Sequence, residues 1–162
     1  MLTVLKETLK HRNTQKPEEG PGHHHLNAFV GHWRMEGFNF PRESGGQPER
    51  VVGEETYEWF DGEYFLINHF DRSQESGRFT GMGWIGYDAC TGKYLSYSIT
   101  NSGLLRIYEL EVFDGEIKFN GELERALFYL SPDGNTMEVQ WDYTEDGKIW
   151  SRLCELKGHR LN

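Results

Sequence analysis

Two cysteines in 162 residues, Cys90 and Cys154, lack both the number and the spacing of a disulfide framework or a zinc site. Free thiols and a reducing compartment, the cytoplasm, are therefore expected. No apolar run approaches the roughly 20 residues that a membrane-spanning helix needs. The N-terminus also lacks the continuous apolar core of a signal peptide, so no membrane insertion or export is expected. Positive charge is scarce: 17 Lys and Arg against 26 Asp and Glu leave a net charge of -9. Nucleic acids and anionic membranes need clustered cations to displace counterions, and this balance argues against both as partners. No nucleophile elbow, phosphate-binding loop or metal-ligand spacing occurs.

Helical periodicity is nearly missing too. Leu2, Leu5 and Leu9 fall at spacings of three and four and predict one short amphipathic helix. The segment Pro17–Gly22 ends it and reads as a linker, because proline and glycine both disfavour helix continuation. The charge changes at the same place, from +3 over residues 1–16 to -12 over the rest. Residues 1–22 are thus expected to be a polar leader and linker, with the folded domain at 23–162. Within His23-His24-His25 three successive side chains cannot converge on one metal ion. A loop leading into a short helical turn through Phe29 is expected there instead.

What remains is strand after strand. Alternating or β-rich runs are predicted at 32–40, 50–60, 63–71, 78–87, 93–100, 104–113, 116–120, 124–131, 136–144 and 148–157. Several are separated by turn dipeptides: Asp61-Gly62, Thr91-Gly92, Asp114-Gly115, Asp133-Gly134 and Asp146-Gly147. A meander of ten antiparallel strands is best served by closure into a barrel, which removes both exposed edges.

Alternation assigns the inner face wherever the other face is plainly polar. Val139, Trp141 and Tyr143 point inward against Glu138, Gln140 and Asp142. Arg106 and Tyr108 share an inward face with Leu104, Leu110 and Val112, and Glu55 shares one with Tyr57. The face of Trp150, Arg152, Cys154 and Leu156 is likewise expected inside. Inward charges are costly unless paired, hydrated or in contact with a ligand. Glu55 and Arg106 are therefore either an ion pair with each other or anchors for a bound molecule, unless a bulge turns their strands outward. Strands 63–71, 78–87 and 124–131 are apolar on both faces, so parity leaves open whether Asn68 or His69 is inward. Their apolar outer side calls for a cover, and a homodimer is the simplest one.

Gly31-His32-Trp33 on the first strand, with an inward Arg152 on the last, resembles the calycin signature in which a Gly-x-Trp tryptophan is covered by a late arginine. Leu26–Trp33, Gly53–Trp59, Gly86-Tyr87-Asp88 and Thr91-Gly92-Lys93-Tyr94 occur in an order similar to a bacterial calycin-like family of unknown function. The resemblance implies an all-β fold: a single antiparallel up-and-down barrel of about ten strands, preceded by a short helix or helical turn, with an interior cavity. It relates the chain to fatty-acid-binding proteins and nitrobindins, with Trp33 and Arg152 forming the closure.

The expected function is binding of a small hydrophobic or aromatic molecule, with Glu55, Tyr57, His69, Tyr97, Arg106, Tyr108, Trp141 and Tyr143 as candidate lining residues. An enzyme acting on a hydrophobic intermediate, a cyclase or isomerase, is the alternative, with Glu55, His69 or Arg106 supplying acid, base or charge stabilisation. No cofactor is expected. Haem, as in nitrobindins, would need an axial histidine near the barrel mouth, for which His159 is the candidate.

Overall fold

The computed structural model describes residues 16–161. A 3-10 helix, His23–Phe29, precedes ten strands: β1 (Gly31–Asn39), β2 (Glu49–Trp59), β3 (Phe65–Gln74), β4 (Gly77–Asp88), β5 (Lys93–Thr100), β6 (Leu105–Phe113), β7 (Glu116–Asn120), β8 (Glu124–Leu130), β9 (Thr136–Tyr143) and β10 (Ser151–Leu161). Each strand pairs antiparallel with its sequence neighbour, and β1 pairs with β10 to close the barrel. This is the expected all-β, up-and-down barrel. The helix expected from Leu2, Leu5 and Leu9 lies outside the described residues.

Two strands, β3 and β10, are shifted along the chain from their expected bounds. Asp61-Gly62 does not make a two-residue hairpin. Glu63 takes a left-handed φ of 59°, and the Phe60 amide donates to the Phe65 carbonyl (2.8 Å), so β3 starts at Phe65 and runs on to Gln74. At the other end of the chain, residues 144–150 form a loop held by Asp146, which accepts from the Lys148 and Ile149 amides (2.8 and 2.9 Å). The last strand therefore starts at Ser151 and extends to Leu161.

The 3-10 helix plugs one end of the barrel. It buries Leu26 and Phe29 completely, and its His23 ring lies against Trp59 at 4.9 Å and pairs with the Glu63 carbonyl at 2.8 Å. The segment before it also packs. Gly20 is buried, and a Cβ there would fall 2.4 Å from the Tyr87 ring.

Just above this plug sits Trp33, fully buried, with its indole N–H donating to the Phe29 carbonyl (3.0 Å). The guanidinium covering it belongs to Arg160, 4.1 Å from the ring centroid, and not to Arg152. Arg160 also donates to the carbonyls of Ala28 (2.8 Å), Gly134 (2.8 Å) and Val30, tying the helix, the β8–β9 loop and the last strand together. Gly31 makes the arrangement possible: its φ of 145° disfavours side chains, and a Cβ would sit 2.6 Å from the Arg160 guanidinium. Arg152 was expected to take this role. The register of β10 against β9 shifts between Arg152 and Cys154, and this bulge reverses the face of everything before it. Arg152 consequently pairs outside the barrel with Asp142 and Glu155, both at 2.8 Å, while Trp150 lies against the guanidinium of Arg125 at 4.4 Å.

Candidate functional site

The opposite end of the barrel opens into a cavity of about 440 Å³. Its wall mixes aromatic and aliphatic residues, Phe70, Phe79, Phe119, Phe128, Trp141 and Ile85 prominent among them, with polar ones such as Asn68, Gln74, Ser96 and Ser98, and the loop after β1 brings Phe40 and Arg42 to the mouth. A broader groove on the outside, passing His32, Glu54 and His69, is open to solvent over most of its surface and cannot shield a ligand in the same way.

Glu55 is the deepest charge in the cavity, 1% exposed. Alternation along β2 directs it inward together with Tyr57, as expected, but its partner is Arg72 on β3 rather than Arg106. The Arg72 Nε donates to the carboxylate at 2.8 Å, one of its terminal nitrogens contacts the same oxygen, and the Tyr57 hydroxyl donates to the other oxygen at 3.0 Å. Burial and the adjacent carboxylate push the Tyr57 phenol well above its ordinary pKa. Burial opposes the charge on Arg72, but Glu55 outweighs it, and the guanidinium is held above its ordinary value. Beside this pair, Cys154 faces the cavity, and burial pushes its thiol up to about 11. A protonated thiol is a poor nucleophile.

Arg106 lies closer to the mouth, where it meets a second carboxylate. Its Nε is 3.4 Å from Glu124 of β8, and the Tyr108 hydroxyl donates to the same carboxylate at 2.8 Å. The contact exists because β7 is only five residues long. It stops at Asn120, opposite Glu109, so the first residues of β6 look past its end towards β8. Burial and Glu124 raise the Tyr108 phenol as well.

The other sequence candidates divide between the two faces. Trp141 lines the cavity, in edge contact with Tyr108 and Phe128. Tyr143 is buried beneath the Arg42 guanidinium (4.6 Å). His69 and Tyr97 are not in the cavity. On β3 the inward residues are Leu66, Asn68, Phe70 and Arg72, which leaves His69 exposed beside the outer groove. On β5 the inward residues are Ser96 and Ser98, and Tyr97 stacks outside on Trp84 (4.6 Å, 15°). His159 is also outside, 3.6 Å from Glu36. Among the described residues no histidine lines the cavity, so the haem ligand that was considered at sequence level has no counterpart in this wall. Sequence reasoning missed Arg72 and Glu124. The first lay one residue beyond the expected end of β3, and the second lay on a strand whose face alternation left undecided.

Residues 18–146, from the segment against the plug to the loop before the last strand, match the family described as "Protein of unknown function (DUF1579)". The chain belongs to the DUF1579 family. Among solved structures, the DUF1579 barrel is similar to Rv2717c from M. tuberculosis, with 13% identity, a TM-score of 0.65, and coverage of 90% of this chain and 100% of that one. It is also similar to the S-type phycobiliprotein lyase CPES from Guillardia theta, with 11% identity, a TM-score of 0.52, and coverage of 85% and 90%. At these identities the likeness is one of fold. No curated protein matches the DUF1579 chain in sequence.

Proposed function

We propose that this protein binds a small, largely apolar molecule inside the barrel. The observation that supports the reading best is the cavity itself: about 440 Å³, closed by the 3-10 plug at one end, open at the other, and lined by aromatic residues interspersed with polar groups. Volumes of a few hundred Å³ with sparse, placed polar groups are typical of small-molecule sites. Both cysteines are free, which supports a reducing, cytoplasmic setting. The test is a binding assay with N-phenyl-1-naphthylamine, an uncharged dye that brightens in apolar surroundings, on wild type and on Ser98→Phe, which fills the cavity from β5. Wild type is expected to enhance the dye, and the variant to bind about tenfold or more weakly. Equal binding by both would move the dye, and the proposal, out of the barrel.

We further propose that the outer face of β3–β6 is covered by a second copy of the chain. The register lines up Ile67, Trp84, Tyr97 and Ile107 in one row across four strands, with Met82, Ile99 and Leu105 in the next. Ile99, Leu105 and Ile107 are 53%, 59% and 51% exposed. A contiguous apolar row of this kind on an exposed sheet face marks an interaction site, and a symmetric dimer is the simplest cover for it. The rim carries opposite charges in pairs, Arg78 with Asp71 and Lys93 with Glu109 (2.7 Å). Two chains of net charge -9 can meet there with less repulsion than elsewhere. Sedimentation equilibrium is expected to give a dimer for wild type and a monomer for Ile107→Lys; a wild-type monomer, or a dimer indifferent to Ile107, would remove the proposal.

A further inference from the structure

Among the charged groups of the cavity, two clusters of similar make-up face each other from opposite walls. On one wall Glu55 accepts from the Tyr57 hydroxyl and the Arg72 guanidinium; on the other Glu124 accepts from the Tyr108 hydroxyl and faces the guanidiniums of Arg106 at 3.4 Å and Arg42 at 4.0 Å. Around the closed barrel, two strands separate β3 from β6 one way, and three separate β2 from β8 the other way. With Glu49 also at the mouth, the lining holds three carboxylates (Glu49, Glu55, Glu124) and three guanidiniums (Arg42, Arg72, Arg106), so the cavity as a whole is balanced in charge before any ligand arrives.

A carboxylate ligand entering beside either set would meet a cation already paired. The net attraction is small because Glu55 or Glu124 repels the newcomer about as strongly as the arginine attracts it. The cost of removing the ligand's own charge from water remains. An ammonium group meets the mirror-image problem. A carbonyl or hydroxyl avoids it, since its desolvation cost is far smaller than that of an ion. It can pair with guanidinium N–H groups not directed at Glu55 or with a phenol oxygen whose proton is committed to the carboxylate.

We propose that the cavity selects an uncharged, apolar ligand bearing carbonyl or hydroxyl groups, and discriminates against carboxylates and amines, because the three carboxylates and three guanidiniums of its lining already neutralise one another. This inference rests on the cavity-binding reading above. It also makes the carboxylates selectivity-determining residues: removing one leaves an arginine without its counter-charge and converts that wall into an anion site.

The experiment compares retinol with retinoic acid, intrinsically fluorescent or quenching molecules that share a body and differ at the head group. They are titrated into the full-length protein at pH 7.5 and at two salt concentrations. Wild type is expected to bind retinol about tenfold more tightly than retinoate, with little salt dependence. Glu55→Gln is expected to narrow or reverse that ratio by strengthening retinoate. Glu124→Gln, at the more exposed set, supplies the same readout if the buried substitution does not fold. Retinoate binding as well as or better than retinol to wild type would overturn the inference while leaving a cavity binder in place. So would a retinol preference that neither glutamine variant changes. Failure of both retinoids and of the naphthylamine dye to bind would overturn the cavity reading itself and this inference with it.

Discussion

Trp33→Ala is expected to lower the unfolding free energy by about 3 to 5 kcal/mol, as for other large aromatic side chains lost from a packed core. Trp33 is fully buried, hydrogen-bonded to the Phe29 carbonyl and capped by Arg160. Its loss would leave a void at the point where the plug, the first strand and the last strand meet. Arg160→Ala removes three backbone hydrogen bonds and the cap over the indole, and is expected to cost about 1 to 3 kcal/mol. Arg152→Ala, by contrast, removes only two partly exposed ion pairs and is expected to change stability by about 0.5 kcal/mol or less. Urea unfolding of the three variants separates the assignments. An Arg152 effect as large as the Arg160 effect would return the closure to the residue that sequence favoured.

A comparable loss is expected from Glu55→Ala, which leaves the Arg72 guanidinium, 13% exposed, without its counter-charge. Breaking a buried pair from one side typically costs about 3 to 5 kcal/mol, because the remaining charge is neither solvated nor neutralised. Replacing both partners, Glu55→Leu with Arg72→Met, is expected to recover most of that loss, since the double variant has no ion to desolvate. The same double replacement leaves that wall apolar and without a free cation, so a chain that has regained stability should keep its preference for retinol over retinoate, unlike Glu55→Gln. Thermal melts of the two single variants and the double variant provide the stability cycle. Single variants that melt with wild type would mean that water reaches Arg72 freely.

The barrel was legible because the turns and the β-rich runs recur along the whole chain, and strands with one polar face could be oriented without ambiguity. Glu55 and Tyr57 on β2, Arg106 and Tyr108 on β6, and Trp141 on β9 all take the predicted inward direction. The difficulty came where the outer face is apolar too. Ile67 and Met82 lie outside, and their sequence neighbours Leu66 and Gly83 lie inside, so hydrophobicity carries no parity signal and His69 could not be separated from Asn68. Arg72 was missed for a related reason. With β3 assumed to start at the Asp61-Gly62 turn, it appeared to end at Asp71, although the spacing Leu66, Asn68, Phe70, Arg72 continues the inward series. The series that begins at Leu156 likewise continues through Gly158 and Arg160, beyond the expected end of the last strand at residue 157. The bulge between Arg152 and Cys154 has no marker in composition and turns Arg152 outward, while the register of β1 on β10 sets Arg160, beyond the expected end of the last strand, opposite Trp33.

Arg160 grips carbonyls that lie 130 and 132 residues earlier, and the strand that carries it is the one that joins β1 to β9. During synthesis, therefore, the first strand must wait for nearly the whole chain before it finds its second neighbour. Until β10 emerges, the sheet can only be an open ribbon with β1 and β9 as unpaired edges, and Trp33 lacks its cap. Such long-range closure is slow compared with hairpin formation, and open edges are templates for pairing with other chains. The seam that makes the finished barrel edgeless is thus also its period of greatest exposure to misassembly, and a chain cut short by even its final strand would keep that exposure permanently.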